Sequence, residues 1–398
     1  MRSSLAVVTV SLFGLAHLAC GSSDDSPGPT PGASSAATGT GGGGGQGGDA
    51  SGGDGVGGGG GSPDACAAFE ATMDQSLADM FPSTKSQGAV IAVVTPECRW
   101  IGAAGQSTDD VAMSPEHVLR IGSVTKTYVS ARLLQLVADG ALSLDDSLDA
   151  WLPDLPGGAE ITVRQLMNHS SGLFNYTDDG AFIDSVLDDP KAHRPPQELV
   201  DVAMAHEPYF APGTSFHYSN TNYILLGMVV ETITGATLGA EIRDSVLAPT
   251  ELSATFFDGE EEITADLAHG YAEGDFDVST YFDPSWAWAA GAMVASAGDV
   301  ADWARNLYGG RVLGPASKEA LFDAIETDNA QIGYGLGVMV FSPSIAGTDA
   351  VGHFGDIPGY HTQMLYLLEQ DTAIVSIVNT DGGNPNPLTA GALDILLE

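Results

Sequence analysis

A serine and a lysine three residues apart are the first side chains in the sequence that could act together in catalysis. The stretch RIGSVTKTYVSARLLQLV places Ser123 and Lys126 at the head of a long apolar run. Residues three apart lie on one face of a helix, so the hydroxyl and the amine would meet. Serine becomes a good nucleophile when a base takes its proton, and lysine can be that base when its pKa is lowered. The pair predicts covalent catalysis, although this spacing also arises by chance.

Two short motifs farther along the chain carry side chains that could complete such a site. HYSNTNY contains Tyr218 and Asn220, and GHFGDIPGY contains His353, Gly355 and Asp356 just before a predicted strand. Taken singly, the tyrosine could be an ordinary half-buried residue, the asparagine could belong to a turn and the histidine to the core. The three motifs are more informative as an ordered set than any of them is alone.

The ordered set resembles the motifs of class C β-lactamases and D-alanyl-D-alanine carboxypeptidases, which are penicillin-recognising serine hydrolases. It is especially similar to the soluble Streptomyces-type carboxypeptidases, which carry Ser-Val-Thr-Lys, Tyr-Ser-Asn and His-x-Gly. The stretches QLMNHSSGL and AGAMVASAGDVADWA also resemble segments of this group, and the resemblance spans roughly residues 66–398. It implies a hydrolase that works through an acyl-enzyme and needs no cofactor or metal.

The resemblance also implies catalytic roles. Ser123 would be the acylated nucleophile, and Lys126 would be its general base or proton relay. The Tyr218 phenol would pass a proton to the leaving group. Because the ordinary pKa of tyrosine is about 10, this role needs positive charge nearby, which Lys126 and His353 could supply.

The remaining motif residues would bind the substrate. The Asn220 amide would hold the carbonyl on the acyl side, and His353 would take the place of the lysine in Lys-Thr-Gly enzymes. The Asp356 backbone N–H, which follows Gly355, would be the second oxyanion donor beside that of Ser123. The predicted binding residues are therefore Asn220, His353, Gly355 and Asp356.

One position departs from the pattern of the relatives. Many of them have threonine or serine between the histidine or lysine and the glycine, where the hydroxyl helps to bind a substrate carboxylate. This chain has Phe354 there, and Asp356 adds negative charge close by. A phenyl ring donates no hydrogen bond, so esters and other amides become credible substrates beside D-Ala-D-Ala peptides and β-lactams. Arg305 or Arg311 could instead bind a carboxylate from elsewhere in the cleft.

Strand patterns at both ends of the domain, with helical patterns between them, predict an α+β fold. ACAAFEATMDQSLADMF predicts a helix that stops at Pro82, and GAVIAVVT and RWIGAAG predict two strands. The Ser123 helix is predicted to end at Gly140, and QLMNHSSGL, with His169, is interpreted as a structural loop. Residues from about 146 to 265 predict an inserted, mostly helical lobe. TQMLYLLE, TAIVSIVNT and LTAGALDILLE predict a final hairpin and a closing helix, which agrees with a β-lactamase/transpeptidase-like antiparallel sheet flanked by terminal helices.

The N-terminal sequence predicts export and a tether. Residues 1–19 combine a positive charge with an apolar core too short to span a membrane comfortably, which is typical of a signal peptide. The ending Leu-Ala-Cys predicts lipidation of Cys20 in the bacterial cell envelope. His17 departs from the lipoprotein pattern, and simple cleavage with secretion is the alternative. Residues 20–63 predict a Gly/Ser-rich flexible linker, and residues 64–398 the hydrolase domain.

Charge and cysteine content narrow the partners and the compartment. The chain has 52 acidic residues against 13 Lys and Arg, a formal net charge of −39 that would repel nucleic acid and anionic lipid. We therefore expect no nucleic-acid partner, membrane contact through the lipid anchor alone, and a monomer. In an oxidising compartment, Cys66 and Cys98 are predicted to form a disulfide, with two separate buried thiols as the alternative.

The leading hypothesis is a serine hydrolase most similar in function to D-alanyl-D-alanine carboxypeptidases, acting on a peptidoglycan-type peptide or a small ester. Esterase and β-lactamase activities are variants of the same site. A sensor module that is acylated at Ser123 without turnover is an alternative of another class. An α/β-hydrolase would need a Gly-x-Ser-x-Gly elbow and a zinc hydrolase a His-Glu-x-x-His cluster, and the sequence contains neither.

Overall fold

The computed structural model describes residues 63–272 and 275–398. The predicted signal peptide, the lipidation site Cys20 and nearly all of the predicted linker lie outside these residues.

The strands are mostly short, and the five longest, of seven to ten residues, lie near the two ends of the domain. They are β1 (Gly88–Val94), β2 (Arg99–Thr108), β3 (Val111–Ala112), β4 (Val118–Arg120), β5 (Thr255–Phe257), β6 (Tyr271–Ala272), β7 (Phe276–Asp277), β8 (Met293–Ser296), β9 (Ile325–Glu326), β10 (Ile332–Tyr334), β11 (Met339–Phe341), β12 (Ala350–Ile357), β13 (Tyr360–Leu367) and β14 (Thr372–Val378).

In the described part of the chain, nine of these strands form one antiparallel sheet in the order β3-β2-β1-β14-β13-β12-β11-β10-β9. Strands from the beginning and the end of the domain therefore meet in the middle, where β1 pairs with β14. A second sheet has the order β4-β8-β5, and β6 pairs with β7. The antiparallel α+β architecture expected from the sequence is confirmed.

Helices cover both faces of the large sheet. They are α1 (Pro63–Thr84), α2 (Thr125–Ala138), α3 (Val163–Met167), α4 (Gly180–Asp188), α5 (Pro196–Met204), α6 (Asn220–Thr234), α7 (Leu238–Ile242), α8 (Trp288–Gly291), α9 (Ala297–Tyr308), α10 (Pro315–Phe322), α11 (Pro343–Ala346) and α12 (Asn386–Leu397). No single helix in these ranges is long and apolar enough to cross a membrane, although α6 with the segment 238–247 would qualify as a pair bent by 77°.

The central strands are buried on both sides because their residues alternate between two cores. In β1, Val90 and Ala92 pack with the helices that carry the catalytic motifs, whereas Ile91 and Val93 face α1 and α12. This double burial explains why the β1 sequence is a continuous apolar run rather than an alternating one.

Two regions differ from the sequence prediction. Helix α1 continues past Pro82 to Thr84, because a proline in the last turn removes only one hydrogen bond near the helix end. Strand β5 lies inside the range predicted as helical, where its buried Phe257 pairs with Met293.

Candidate active site

Ser123 lies in a short 3-10 turn, Gly122–Val124, that leads directly into α2. Gly122 has a φ of 49°, and a Cβ there would lie 2.8 Å from the backbone nitrogen of Asp356. A glycine is therefore required both by the backbone conformation and by the close approach of β12. This contact places the Ser123 hydroxyl beside the edge of the large sheet.

The Lys126 side chain is completely buried one turn further on. Its Nζ lies 2.9 Å from Ser123 Oγ, 2.9 Å from Asn220 Oδ1 and 2.6 Å from the backbone oxygen of Ala290. The structure thus brings together the two residues of the first motif and the asparagine of the second. The carbonyl of Ala290, at the third position, was not predicted from the sequence.

Burial lowers the pKa of the Lys126 ammonium group well below its ordinary value. A neutral amine has two N–H bonds and one lone pair. The oxygens of Asn220 and Ala290 can only accept, so they take the two N–H bonds, and the lone pair is left facing the Ser123 hydroxyl. This arrangement lets Lys126 act as the base for Ser123.

Tyr218 lies against the same group of residues. Lys126 Nζ is 5.0 Å from the centre of its ring. The Tyr218 hydroxyl is buried and has no hydrogen-bond partner among the described residues. Burial raises the pKa of Tyr218 well above its ordinary value, and the nearby Ser123 hydroxyl opposes this rise only in part. The phenol is therefore protonated at neutral pH and can serve as a proton donor.

Asn220 is the first residue of α6 and is held from both ends of its side chain. Its Oδ1 accepts from Lys126, and its Nδ2 donates to Thr177 Oγ1 at 3.2 Å. Its backbone N–H donates to Asn175 Oδ1. These contacts fix the amide orientation, so the oxygen faces the lysine.

Strand β12 forms the other wall of the site. It pairs with β11 only from Ala350 to Gly352, while it pairs with β13 along its whole length. The edge from His353 to Ile357 is therefore free of a strand partner in the described register. A Cβ on Gly355 would lie 2.0 Å from the backbone oxygen of Ile121 and 3.2 Å from the nitrogen of Ser123, so glycine is needed for this approach.

His353 belongs to a buried chain of hydrogen bonds behind the site. Its Nδ1 lies 2.6 Å from the carbonyl oxygen of Phe354, so this nitrogen carries the proton. Its Nε2 must then accept from the Tyr334 hydroxyl, 2.9 Å away. The Tyr334 oxygen lies 3.2 Å from Nε2 of His169 and accepts from it.

The tautomer of His169 agrees with this assignment. Its Nδ1 accepts from the backbone N–H of Ser219 at 3.2 Å and lies 3.0 Å from Nδ2 of Asn222. The proton is therefore on Nε2, which faces Tyr334. The loop that contains His169 thus has more than a local structural role, because its imidazole also packs against the Tyr218 ring with centroids 4.2 Å apart.

The expectation that His353 supplies positive charge to Tyr218 is wrong in this structure. Burial lowers the pKa of His353 to about 3, so the imidazole is neutral at neutral pH. Both of its nitrogens are also engaged, with Tyr334 and with Phe354. His353 therefore supports β12 from behind and does not present a charge to the cleft.

The arginines suggested as carboxylate ligands lie at another place. Arg305 and Arg311 both pair with Asp371, in the turn between β13 and β14, and Arg305 also donates to the backbone of Thr95. The predicted cysteine pair lies apart from the site too. The structure joins Cys66 and Cys98 in a disulfide that links α1 to the start of β2.

The fold and this arrangement of serine, buried lysine, tyrosine and free strand edge define a penicillin-binding-protein-like serine hydrolase. The family model described as Beta-lactamase matches residues 67–397. The chain therefore belongs to the β-lactamase family, and the resemblance noted in its motifs is confirmed.

Curated relatives carry several different activities in their names. Penicillin-binding protein 4* of Bacillus subtilis is 26% identical over 294 residues, which cover 69% of this chain and 64% of that protein. The match thus spans less than two thirds of that relative. Esterase EstB of Burkholderia gladioli is 30% identical over 332 residues, covering 71% of this chain and 82% of the esterase.

Solved structures agree with the fold over most of the chain. A D-stereospecific amidohydrolase from Streptomyces superposes with a TM-score of 0.74 and 32% identity, covering 81% of this chain and 98% of its own. The D-amino acid amidase of Ochrobactrum anthropi SV3, complexed with L-phenylalanine amide, has a TM-score of 0.74 and 26% identity, covering 83% and 100%.

Proposed function

We propose that the protein hydrolyses amides or esters through an acyl-enzyme on Ser123. The observation that carries the proposal is the set of contacts made by Lys126 Nζ. The oxygens of Asn220 and Ala290 accept its N–H bonds, which leaves its lone pair facing Ser123. A buried neutral lysine at this distance is the general base that a serine nucleophile needs.

The reaction follows from these positions. Ser123 Oγ attacks the substrate carbonyl, and its proton passes to Lys126. The negative oxygen that forms is stabilised by the backbone N–H groups of Ser123 and Asp356. The Tyr218 phenol gives its proton to the departing nitrogen or oxygen, and the proton that Lys126 took from Ser123 then passes to the Tyr218 phenolate. Water then attacks the acyl-serine ester. The acid product leaves, and Ser123 regains its proton.

The substrate class proposed is a small amide or ester of a D-amino acid. The amidohydrolase and amidase neighbours, and a D-aminopeptidase relative from Gluconobacter oxydans, support amide chemistry of this kind. D-alanyl-D-alanine carboxypeptidase activity, the narrower expectation from the motifs, is a special case in which the leaving group ends in a carboxylate. Esterase activity is the second candidate, because EstB is 30% identical.

The test is turnover by the purified chain and by two variants. The substrates are D-phenylalanine amide, a short-chain p-nitrophenyl ester, a D-Ala-D-Ala peptide and a penicillin. Ser123→Ala and Lys126→Arg should each lower kcat/KM at least about 100-fold on every substrate that the wild type accepts, because nucleophile and base act as one unit.

Arginine is a long basic side chain like lysine but stays protonated at working pH, so at position 126 it would have no lone pair to take the Ser123 proton. A Lys126→Arg variant with wild-type turnover would show that Lys126 is not the base. A stoichiometric burst without turnover would favour the sensor module instead.

A further inference from the structure

Two side chains of β12 flank Gly355 and face the same side of the strand. Phe354 and Asp356 are two residues apart, so they point to one face, while Gly355 faces the Ser123 turn. Phe354 packs on Phe341, with ring centroids 5.3 Å apart. Tyr218 and Phe354 are both partly buried and pack against the same hydrophobic cluster.

Asp356 keeps its carboxylate at the surface. The side chain is 38% exposed and binds Nδ1 of His361, its cross-strand neighbour on β13, at 2.5 Å. Its negative charge is close enough to contribute to the raised pKa of Tyr218, although burial is the larger cause. The Asp356 backbone nitrogen would lie 2.8 Å from a Cβ on Gly122, so Asp356 stands beside the turn that carries Ser123.

The arginines of the described ranges are all engaged with carboxylates other than Asp356. All eight arginines of the described ranges pair with carboxylates, in the pairs Arg99–Asp302, Arg120–Asp258, Arg132–Glu241, Arg164–Asp145, Arg194–Glu198, Arg243–Glu261, Arg305–Asp371 and Arg311–Asp371. Lys126 is buried and already bound to three oxygens. A carboxylate placed beside Asp356 would be repelled by its negative charge.

We infer that Phe354 and the Asp356–His361 pair make the leaving-group side of this cleft select neutral or cationic leaving groups and reject carboxylates. The inference rests on the proposed function and names the substrate class of the same site. Phe354 offers apolar contact without a donor, and Asp356 supplies the charge that discriminates. The peptidase activity is then directed at amides and amine-bearing leaving groups rather than at a C-terminal D-alanine.

His361 modulates this charge. Burial lowers the pKa of His361, but the hydrogen bond and charge of Asp356, together with the charge of Asp381, outweigh it and leave the pKa raised. A protonated His361 partly cancels Asp356, and a neutral one leaves the carboxylate unbalanced. The charged groups at this hairpin are Asp356 on β12, His361 on β13 and Asp381 after β14, so discrimination should increase as the pH rises.

The experiment compares three substrates with one D-acyl group and different leaving groups. The leaving group is D-alanine with a free carboxylate in the first substrate, D-alaninamide in the second, and the cationic aminoethyl amide of D-alanine in the third. The wild type should have its lowest kcat/KM on the carboxylate substrate. Asp356→Asn keeps the shape and the backbone N–H, and it should raise the carboxylate-to-amide ratio of kcat/KM about tenfold and lower the cationic-to-amide ratio.

Asp349→Asn is the matched control, because it removes the same charge at the exposed residue just before β12 begins, about 23 Å along the strand. It should leave both ratios unchanged. Equal effects of Asp356→Asn on all three substrates, or the same ratio shift in Asp349→Asn, would overturn the inference. In either case, turnover of the amide substrate would leave the proposed function standing. Absence of turnover and of a Ser123 adduct with all three would overturn both.

Discussion

At the scale of single residues, the lack of a side chain at Gly355 lets strand β12 come close to the nucleophile Ser123. Gly355 lies against the Ser123 turn, where a Cβ would stand 2.0 Å from the Ile121 oxygen. The Ile121 backbone cannot easily move away, because Ile121 is fully buried and donates its N–H to the carbonyl oxygen of Met293. The oxyanion donors proposed here, at Ser123 and Asp356, depend on this contact.

We therefore predict that Gly355→Ala lowers kcat/KM about 100-fold or more on a neutral ester, because the strand must move away and one oxyanion donor is displaced. Steady-state kinetics of the variant provide the measurement. Gly314→Ala is the control, since a Cβ there meets nothing within 4 Å, and its activity should be that of the wild type. Equal activity of the two variants would show that the approach of β12 does not matter.

The sequence was sufficient to find the side chains that surround Lys126 but not all of their states. Ser123, Lys126, Tyr218 and Asn220 were found as motifs, and the structure brings them together. The Ala290 carbonyl and Tyr334 carry no signal in the sequence, because each contributes through a contact between distant segments. The neutral state of His353 could not be predicted either, since it follows from burial and from the hydrogen bonds of its neighbours.

At the scale of elements, the chain His169–Tyr334–His353 ties the loop after α3 to strands β10 and β12. The loop is set by a capping box, in which Thr162 and Gln165 exchange hydrogen bonds at the start of α3. Long, apolar elements such as β1, β14 and α12 were recognisable in the sequence. The sheet β4-β8-β5 was not, because strands of three or four residues show no clear alternation.

The buried histidine makes the fold sensitive to acid. The pKa of His353 is about 3 in the folded protein and about 6.5 in an unfolded chain, so below pH 6.5 the unfolded state binds the extra proton. The contribution of His353 to stability is fully present above pH 6.5 and is lost as the pH falls towards 3. Between pH 8 and 5 this residue should lower the free energy of unfolding by about 2 kcal/mol.

Urea unfolding of the wild type and of His353→Asn at the two pH values measures this contribution. The variant should be less stable at pH 8, yet its loss of stability on going to pH 5 should be about 2 kcal/mol smaller than that of the wild type. Parallel losses in the two proteins would mean that His353 is not held neutral in the folded state.

At the scale of the whole molecule, the chain combines a strongly acidic domain with an N-terminal segment that has the composition of a spacer. The net charge of −39 weighs against nucleic acid as a partner. We propose that the hydrolase is exported and held at the cell envelope by a lipid on Cys20. The Cys66–Cys98 disulfide is consistent with an oxidising compartment.

A fatty-acid probe fed to cells that express the full chain should label the wild type, and Cys20→Ser should remove the label and release the protein. Ser123→Ala provides the control, since it leaves the N-terminal segment intact and should be labelled as strongly as the wild type. Unlabelled wild-type protein in the medium would replace anchoring with simple secretion, in line with His17 in the signal.

The central claim is that Ser123 forms a covalent acyl-enzyme with Lys126 as its base, and intact-mass spectrometry tests it most directly. The purified chain is mixed with a short-chain p-nitrophenyl ester, quenched in acid within the first turnovers and digested for peptide mapping. We predict a mass increase equal to the acyl group, located on Ser123, which is absent in Ser123→Ala and strongly reduced in Lys126→Arg. Turnover of the ester with no adduct on Ser123, or with undiminished activity in Ser123→Ala, would contradict the account.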